Sequence, residues 1–396
     1  MTVPLFFYGG ATGTFSSRKS KRATYDSVAF RFVAASPRPE HDTICDFRRR
    51  FLPQAQTFFE QIPLIAAESG MLKVGRVSID GTKMKANASK HHALSYGHAT
   101  KLERRIKGEI ERSLRLAERA DVSEIPDGMD VPEELARRDT CLQAIAQARE
   151  RIRVREQERL ASEQAERDLK MGERTARERE TGKKPRGGKP VRPPRSMNQT
   201  AQVHLTDDDS RIMPSADGLV QAYDAQEAVD CDSRLLVAIE VSQRPTDRTP
   251  LEPIISRLSV LPASLGHVGE VLVDAGCYSE TNGKACEWNN LPPYISIGRE
   301  RHAGGLERRR ESPGLPRFAM PNQQIQHQLR TKAGHNIYGQ RKAIIEPFFG
   351  IVKSVLGFRQ FSLRGHEEMS GEWCLVGGAC KLKPMHTPTF TLAKAG

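Results

Sequence analysis

A long, charged helical stretch lies between segments that read as β-strands, and this order restricts the folds open to the chain. In residues 98–120 the apolar side chains recur every four positions among charged ones, which is the periodicity of an amphipathic helix. These apolar residues are Leu102, Ile106, Ile110 and Leu114. A turn sequence at residues 125–128 precedes a second charged helix over residues 132–170. We therefore expect a helical hairpin inserted between the strands of a sheet.

Short apolar or alternating segments on both sides of the hairpin supply the sheet. Predicted strands cover residues 72–80, 218–226, 235–241, 269–274 and 293–298. Predicted helices follow at residues 250–261, 279–289 and 338–356. This order of elements predicts an α/β fold, in which a mixed sheet carries helices on its faces.

The sequence pattern divides the chain into four parts. Residues 1–70 are predicted to be an N-terminal helical domain, either a DNA-binding domain that is truncated at its start or a helical segment with a solvated basic face. Residues 71–97 and 201–383 form the sheet domain, residues 98–200 the inserted hairpin with a basic linker, and residues 384–396 a tail. The linker has no acidic residue from Thr181 to Thr206, so it is either a phosphate-binding segment or a solvated tether.

The charge balance favours a polyanionic partner. The chain has 61 Lys and Arg against 49 Asp and Glu, a formal net charge of +12. This excess attracts nucleic acid at long range, although a merely basic protein has the same balance. No apolar run reaches the roughly 18 residues of a membrane span, so no membrane partner is expected. The seven cysteines form no C-x-x-C pair, which argues against a zinc site and fits reduced thiols in the cytoplasm.

Three acids stand where chemistry is expected. Asp80 and Asp274 each end a predicted strand, at the edge of a sheet where loops leave room for a ligand. Either acid taken alone is more simply a turn or cap residue. Glu346 lies on the last predicted helix, and Lys342 and Lys353 share its flank of the apolar stripe. This set of charges is suited to a metal and phosphate site.

Pro347 directly follows the third acid and lacks the N–H that a helix interior needs. It either kinks the helix or begins a new first turn. In both cases we expect Glu346 near a helix N-terminus, where the helix dipole favours its ionised form.

Four segments in order resemble the DDE transposases of bacterial insertion sequences. They are residues 77–90 (VSIDGTKMKANASK), 205–213 (LTDDDSRIM), 271–279 (VLVDAGCYS) and 341–365, which end in GFRQFSLRG. The resemblance covers about residues 5–380 and implies a ribonuclease-H-like catalytic domain. Arg341 stands one position earlier than the family helix places its arginine, and Lys342 holds that register. Cys277 replaces an aromatic residue expected beside the second acid.

The resemblance implies a set of functional residues. Asp80, Asp274 and Glu346 would be the catalytic acids and would bind two Mg²⁺ ions, for which Mn²⁺ can substitute. The expected contacts to DNA phosphates are Lys342, Lys353, Lys83, Lys85 and Arg341. For the lysines that follow the first acid, a solvated basic loop is an equally good interpretation.

The expected function is Mg²⁺-dependent cleavage of DNA at transposon ends, followed by strand transfer into target DNA. The expected partners are double-stranded DNA, both transposon ends and target, and a second copy of the chain when the ends are paired. The expected location is the cytoplasm of a bacterium, at the nucleoid. Two alternatives stay open at this point: a catalytically decayed or domesticated DNA-binding protein, and a host nuclease of the same fold.

Overall fold

A mixed sheet with surrounding helices confirms the α/β class. The computed structural model describes residues 2–89, 92–120, 131–182, 188–194, 197–215, 218–244, 251–277, 279–296 and 321–385. Within these residues, no helix is both long and apolar enough to cross a membrane. The described chain forms two compact units: Met1–Asn87 together with Ser210–Gly396, and Ala88–Asp209.

The helices and strands have the following bounds. The helices are α1 (Thr2–Ala11), α2 (Ser17–Asp26), α3 (Val28–Val33), α4 (His41–Phe51), α5 (Ala55–Glu68), α6 (Tyr96–Ala120), α7 (Val131–Thr181), α8 (Glu252–Ser259), α9 (Glu280–Trp288), α10 (Pro321–Arg330), α11 (Lys332–Gly339), α12 (Arg341–Gly350) and α13 (His366–Met385). The strands are β1 (Val74–Lys85), β2 (Ala93–Ser95), β3 (Gln202–His204), β4 (Arg211–Ser215), β5 (Gly218–Asp230), β6 (Leu236–Ser242), β7 (Gly266–Val273) and β8 (Pro293–Ile295).

The main sheet combines antiparallel and parallel pairing around β1. Strand β1 pairs antiparallel with β5 and parallel with β7, and β8 continues the parallel part. On its other edge β5 pairs antiparallel with both β4 and β6. Val77, Ile79, Val271 and Val273 are fully buried, because helices cover the sheet and β-branched side chains pack well on it.

Strand β1 is longer than its sequence pattern predicts, so Asp80 does not end it. The antiparallel ladder with β5 continues to the pair Lys85–Ala222, whereas the parallel ladder with β7 ends at Ile79–Val273. Asp80 therefore lies at the first position beyond the parallel ladder. This position is beside an open edge of the sheet, as expected, but because β7 ends there and not because β1 ends.

Helix α13 is a central packing element of the first unit. It packs against α1, α5 and β6, and its Trp373 is fully buried. The sequence analysis predicts no helix here, because apolar residues occur on all faces of α13 and give no amphipathic stripe. The N-terminal helices thus belong to the same compact unit as the sheet. Most of the predicted tail, residues 386–396, lies outside the described residues.

The second unit contains the helical hairpin. Helix α7 runs to Thr181, beyond the predicted end at residue 170, and packs on α6 through buried Ile106, Ile145 and Ile152. Strands β2 and β3 form a small antiparallel sheet at its base. The predicted turn at residues 125–128 lies outside the described residues.

A buried lysine compensates for a proline inside α5. Pro63 has no N–H, so the carbonyl of Phe59, one turn earlier, lacks its helical donor. The Nζ atom of Lys381, which is almost fully buried on α13, donates to this carbonyl at 3.0 Å and lies 3.1 Å from the centre of the Phe59 ring. Burial holds the pKa of Lys381 well below its ordinary value. A side chain from another helix therefore supplies the hydrogen bond that the proline removes.

This arrangement predicts strong coupling between the two positions. Lys381→Met leaves the Phe59 carbonyl without a donor, which costs about 1–3 kcal/mol when the group is buried. In a Pro63→Ala background the new N–H at position 63 can bond to this carbonyl. The destabilisation caused by Lys381→Met should therefore be smaller there by at least about 1 kcal/mol. Urea unfolding of the four proteins in the cycle measures this coupling. Strictly additive effects would contradict the compensation.

Candidate active site

Asp80 and Asp274 share one buried cation. Arg341, the first residue of α12, pairs through Nη1 with Asp80 Oδ2 at 3.4 Å and through Nη2 with Asp274 Oδ1 at 2.9 Å. The Arg341 side chain is only 9% exposed. Parallel strands β1 and β7 deliver the two acids side by side, and the guanidinium fork suits two carboxylates. The two acids predicted from distant motifs are thus brought together.

The carboxyl of Asp80 lies in an unfavourable environment for a negative charge. Burial raises its pKa to about 6, and the charges of Asp274 and Glu346 act in the same direction. The N–H of Gly81, which donates to Asp80 Oδ1 at 2.8 Å, and the charge of Arg341 oppose this rise in pKa. The charges of three acids thus act here, and Arg341 pairs with two of them. Such a site favours an additional cation.

Glu346 lies on α12 near the other two acids and is exposed to solvent. The expectation that it lies at a helix N-terminus is wrong, because α12 begins at Arg341 and continues through Pro347 to Gly350. Gln340 keeps a helical backbone conformation, so the chain is already helical well before the proline. Its effect on the pKa of Asp80 indicates that the two carboxyls lie within electrostatic range.

The predicted phosphate-binding lysines that the structure describes lie on β1 or contact it. Lys353 donates to Thr82 Oγ1 and, at 3.3 Å, to the carbonyl oxygen of Lys83. Burial lowers the pKa of Lys353, and the charge of Glu227 opposes that shift. Lys83 forms an ion pair of 2.9 Å with buried Asp224. Lys85 is half-buried further along β1.

Two of the predicted phosphate contacts need separate mention. The side chain of Lys342 lies outside the described residues. Arg341 is directed to the acids in this structure, and its contact with phosphate stays a prediction. The one-residue shift of Arg341 relative to the family helix is thus accompanied by a specific pairing with Asp80 and Asp274.

Two further groups lie beside these acids, and the sequence analysis missed the first of them. Glu227 on β5 lies opposite Asp80 in the ladder and is fully buried. Cys277 follows Asp274, and burial together with the charges of Asp80 and Asp274 raises the pKa of its thiol to about 12. A neutral thiol therefore occupies the position where an aromatic residue was expected. The predicted strand 218–226 ends one residue before Glu227, and the neighbour of Glu227 on β1 follows only from the sheet register.

The donor atoms of this site suit a hard divalent ion. Carboxylate oxygens are the ligands that Mg²⁺ and Mn²⁺ prefer, and the excess negative charge around Asp80 favours binding. In the part of the chain that the structure describes, no three His, Cys, Asp or Glu side chains stand ready as a complete metal cluster. Arg341 lies between the two nearest acids instead. The acids suit a divalent ion once the Arg341 guanidinium moves out from between Asp80 and Asp274.

Comparison with protein families finds a match in the C-terminal part of the chain. Residues 307–386 match the family model of the transposase DDE domain. The matched segment contains Arg341, Glu346 and Lys353, and it follows Asp80 and Asp274 in the chain. Comparisons with curated proteins and with solved structures found no match.

Proposed function

We propose, from the premise that residues 307–386 make this chain a DDE transposase, that it cleaves DNA at transposon ends with Mg²⁺ and transfers the freed strand into target DNA. The observation that carries the proposal is the convergence of Asp80 and Asp274 on Arg341, with the charge of Glu346 in range. Asp80 and Asp274 come from distant segments and meet at one sheet edge, and the charge of Glu346 acts there from a third segment. Metal ions held by such acids would serve the cleavage of a phosphodiester.

The sheet supports a ribonuclease-H-like catalytic domain. Strands β6, β5 and β1 are antiparallel neighbours, and β7 and β8 extend the sheet in parallel from β1. The first acid lies on the central strand and the second directly after the next parallel strand. The helical unit Ala88–Asp209 enters the chain between β1 and β4, as an insertion would.

Each residue has a defined task in this proposal. Asp80, Asp274 and Glu346 would hold the metal ions. Bound Mg²⁺ supplies activation of a water or a 3′-hydroxyl and neutralises charge on the leaving oxygen. Lys353, held against β1 by Thr82, places a positive charge beside the DNA phosphate. Arg341 keeps the two acids adjacent in the metal-free protein and is then available for a phosphate.

The partners follow from this chemistry. The net charge of +12 suits double-stranded DNA. Joining two transposon ends requires two active sites, so we propose that the protein works as a homodimer on DNA. This function places it at the bacterial nucleoid.

A cleavage assay tests the proposed function. The DNA is a plasmid that carries the gene with its chromosomal flanks, incubated with the purified full chain and Mg²⁺, Mn²⁺ or EDTA. We expect nicks with 3′-hydroxyl ends at the borders of the element, joined products with a target plasmid, and no reaction in EDTA. Binding of the same DNA without cleavage in either metal would reject the enzyme and leave a DNA-binding protein. Nicks without any joined product would point to a nuclease.

A further inference from the structure

Glu227 is a buried acid that the structure leaves without hydrogen bonds. It is 0% exposed, and in the described part of the chain neither Oε1 nor Oε2 has a hydrogen-bond partner. Buried polar groups are nearly always paired, and a carboxyl with two unsatisfied oxygens is a costly exception. An ion that binds there is one of the few physical reasons for such an exception.

The sheet register directs this acid to the proposed active site. Glu227 is the antiparallel partner of Asp80. Directly opposed residues of an antiparallel pair project from the same face, with Cβ atoms about 4.5–5.5 Å apart. Two carboxyls at this separation can share one cation. Because β5 pairs on both edges, its backbone holds Glu227 rigidly.

The surrounding charges leave the pair of acids under-compensated. Burial raises the pKa of Glu227 well above its ordinary value, the charge of Asp80 adds to this rise, and the charge of Lys353 opposes it. Lys353 nevertheless donates its hydrogen bonds to Thr82 and to the Lys83 carbonyl. Arg341 pairs with Asp80 and Asp274. Among the described residues, neither cation therefore hydrogen-bonds to the Glu227 carboxyl.

We infer that Glu227 is a further carboxylate of the metal centre, which faces a divalent ion from the strand beside Asp80. The inference rests on the proposed function, because it requires a metal at Asp80. Glu227 is thus a fourth acid beside the three of the transposase assignment. It is supplied by β5 and is already in place in the DNA-free protein. The ion would relieve the repulsion between Asp80 and Glu227 and would take as ligands the Glu227 oxygens that lack hydrogen-bond donors.

Binding of Mn²⁺ alone tests the inference. The full-length wild type and Glu227→Gln are titrated with Mn²⁺, and free Mn²⁺ is followed by electron paramagnetic resonance. Glutamine keeps the shape of the side chain and removes its charge. We expect the Mn²⁺ affinity to fall at least tenfold, and the metal-free variant to melt at the same temperature as the wild type or higher, because an unpaired buried acid is gone. A purely structural glutamate would give the opposite pattern: lower melting temperature and unchanged affinity.

Two matched variants serve as controls. Glu240→Gln removes one acid from β6, where Glu240 pairs with Arg257, and should leave the Mn²⁺ affinity unchanged. Asp230→Asn changes a buried acid on β5 that accepts from Ser233 and Gly75. It should lower the melting temperature without changing the affinity per folded molecule. If wild type binds Mn²⁺ and Glu227→Gln binds it equally well, the inference is overturned while the proposed function stands. If wild type binds no Mn²⁺ with or without DNA, both are overturned.

Discussion

Asp80→Asn and Asp274→Asn are each expected to lower Mg²⁺-dependent DNA nicking by about 10³-fold or more, with DNA binding nearly unchanged. Removal of a single stabilising group at a developing charge costs about 10²–10³ in rate, and loss of a metal ligand also weakens metal binding. Asparagine keeps the size of each side chain and retains one oxygen. Because Asp80 and Asp274 contact the same guanidinium, each change also releases one arm of Arg341.

The measurement is single-turnover nicking of end-containing DNA, with binding followed separately by fluorescence anisotropy in Ca²⁺. Glu240→Gln is the matched control, because it removes an acid of the same unit that lies on β6 in a pair with Arg257. Nicking by either asparagine variant within tenfold of the wild type would reject the assignment of that acid. Equal loss of DNA binding and nicking would mean that the change damages the fold rather than the chemistry.

Arg341→Met is expected to destabilise the metal-free protein by about 2–4 kcal/mol. Loss of one partner from a buried ion pair costs about 3–5 kcal/mol, and the value is reduced here because the Asp274 side chain is 40% exposed. Addition of Mg²⁺ should recover most of this loss. The ion then neutralises acids that no longer have an internal cation, so the variant should bind Mg²⁺ more tightly than the wild type.

Urea unfolding with and without Mg²⁺, together with calorimetric titration, measures both effects. Arg257→Met is the control, since the Arg257 side chain, which pairs with Glu240, is 38% exposed against 9% for Arg341. Its loss should cost less than about 1 kcal/mol at any Mg²⁺ concentration. An Arg341→Met protein as stable as the wild type in the absence of metal would contradict a stabilising role for the guanidinium. Weaker Mg²⁺ binding by the variant would show that Arg341 assists the ion instead of occupying its place.

Local sequence patterns predicted the sheet-edge positions of Asp80 and Asp274, but not the residues that contact them. Asp80 and Asp274 follow apolar, strand-forming segments, and this local pattern predicts that they lie near one sheet edge. The pairing of Arg341 with both acids depends on three segments that are far apart in the chain. Glu227 lies one residue beyond the predicted strand 218–226, and only the ladder places it opposite Asp80.

Local patterns also misplaced element boundaries for identifiable reasons. Gly81 suggested the end of β1, yet the strand continues because β5 still offers backbone partners up to Lys85. Pro347 suggested either a kink or a new helix start, and α12 runs through it within a segment that is already helical. At β1 a tertiary partner outweighed the local propensity. The helical hairpin was the most reliable prediction, because its periodicity extends over many turns and needs no distant partner.

The substitution of a lysine for a missing backbone donor in α5 has an evolutionary consequence. A descendant that loses Lys381 while Pro63 remains would strand the Phe59 carbonyl in the interior, whereas one that first exchanges Pro63 regains the helical bond and makes the lysine dispensable. The two steps are therefore accessible in one order and hindered in the other. Among diverging copies of this gene, chains that keep the proline without the lysine should be far rarer than chains that keep the lysine without the proline.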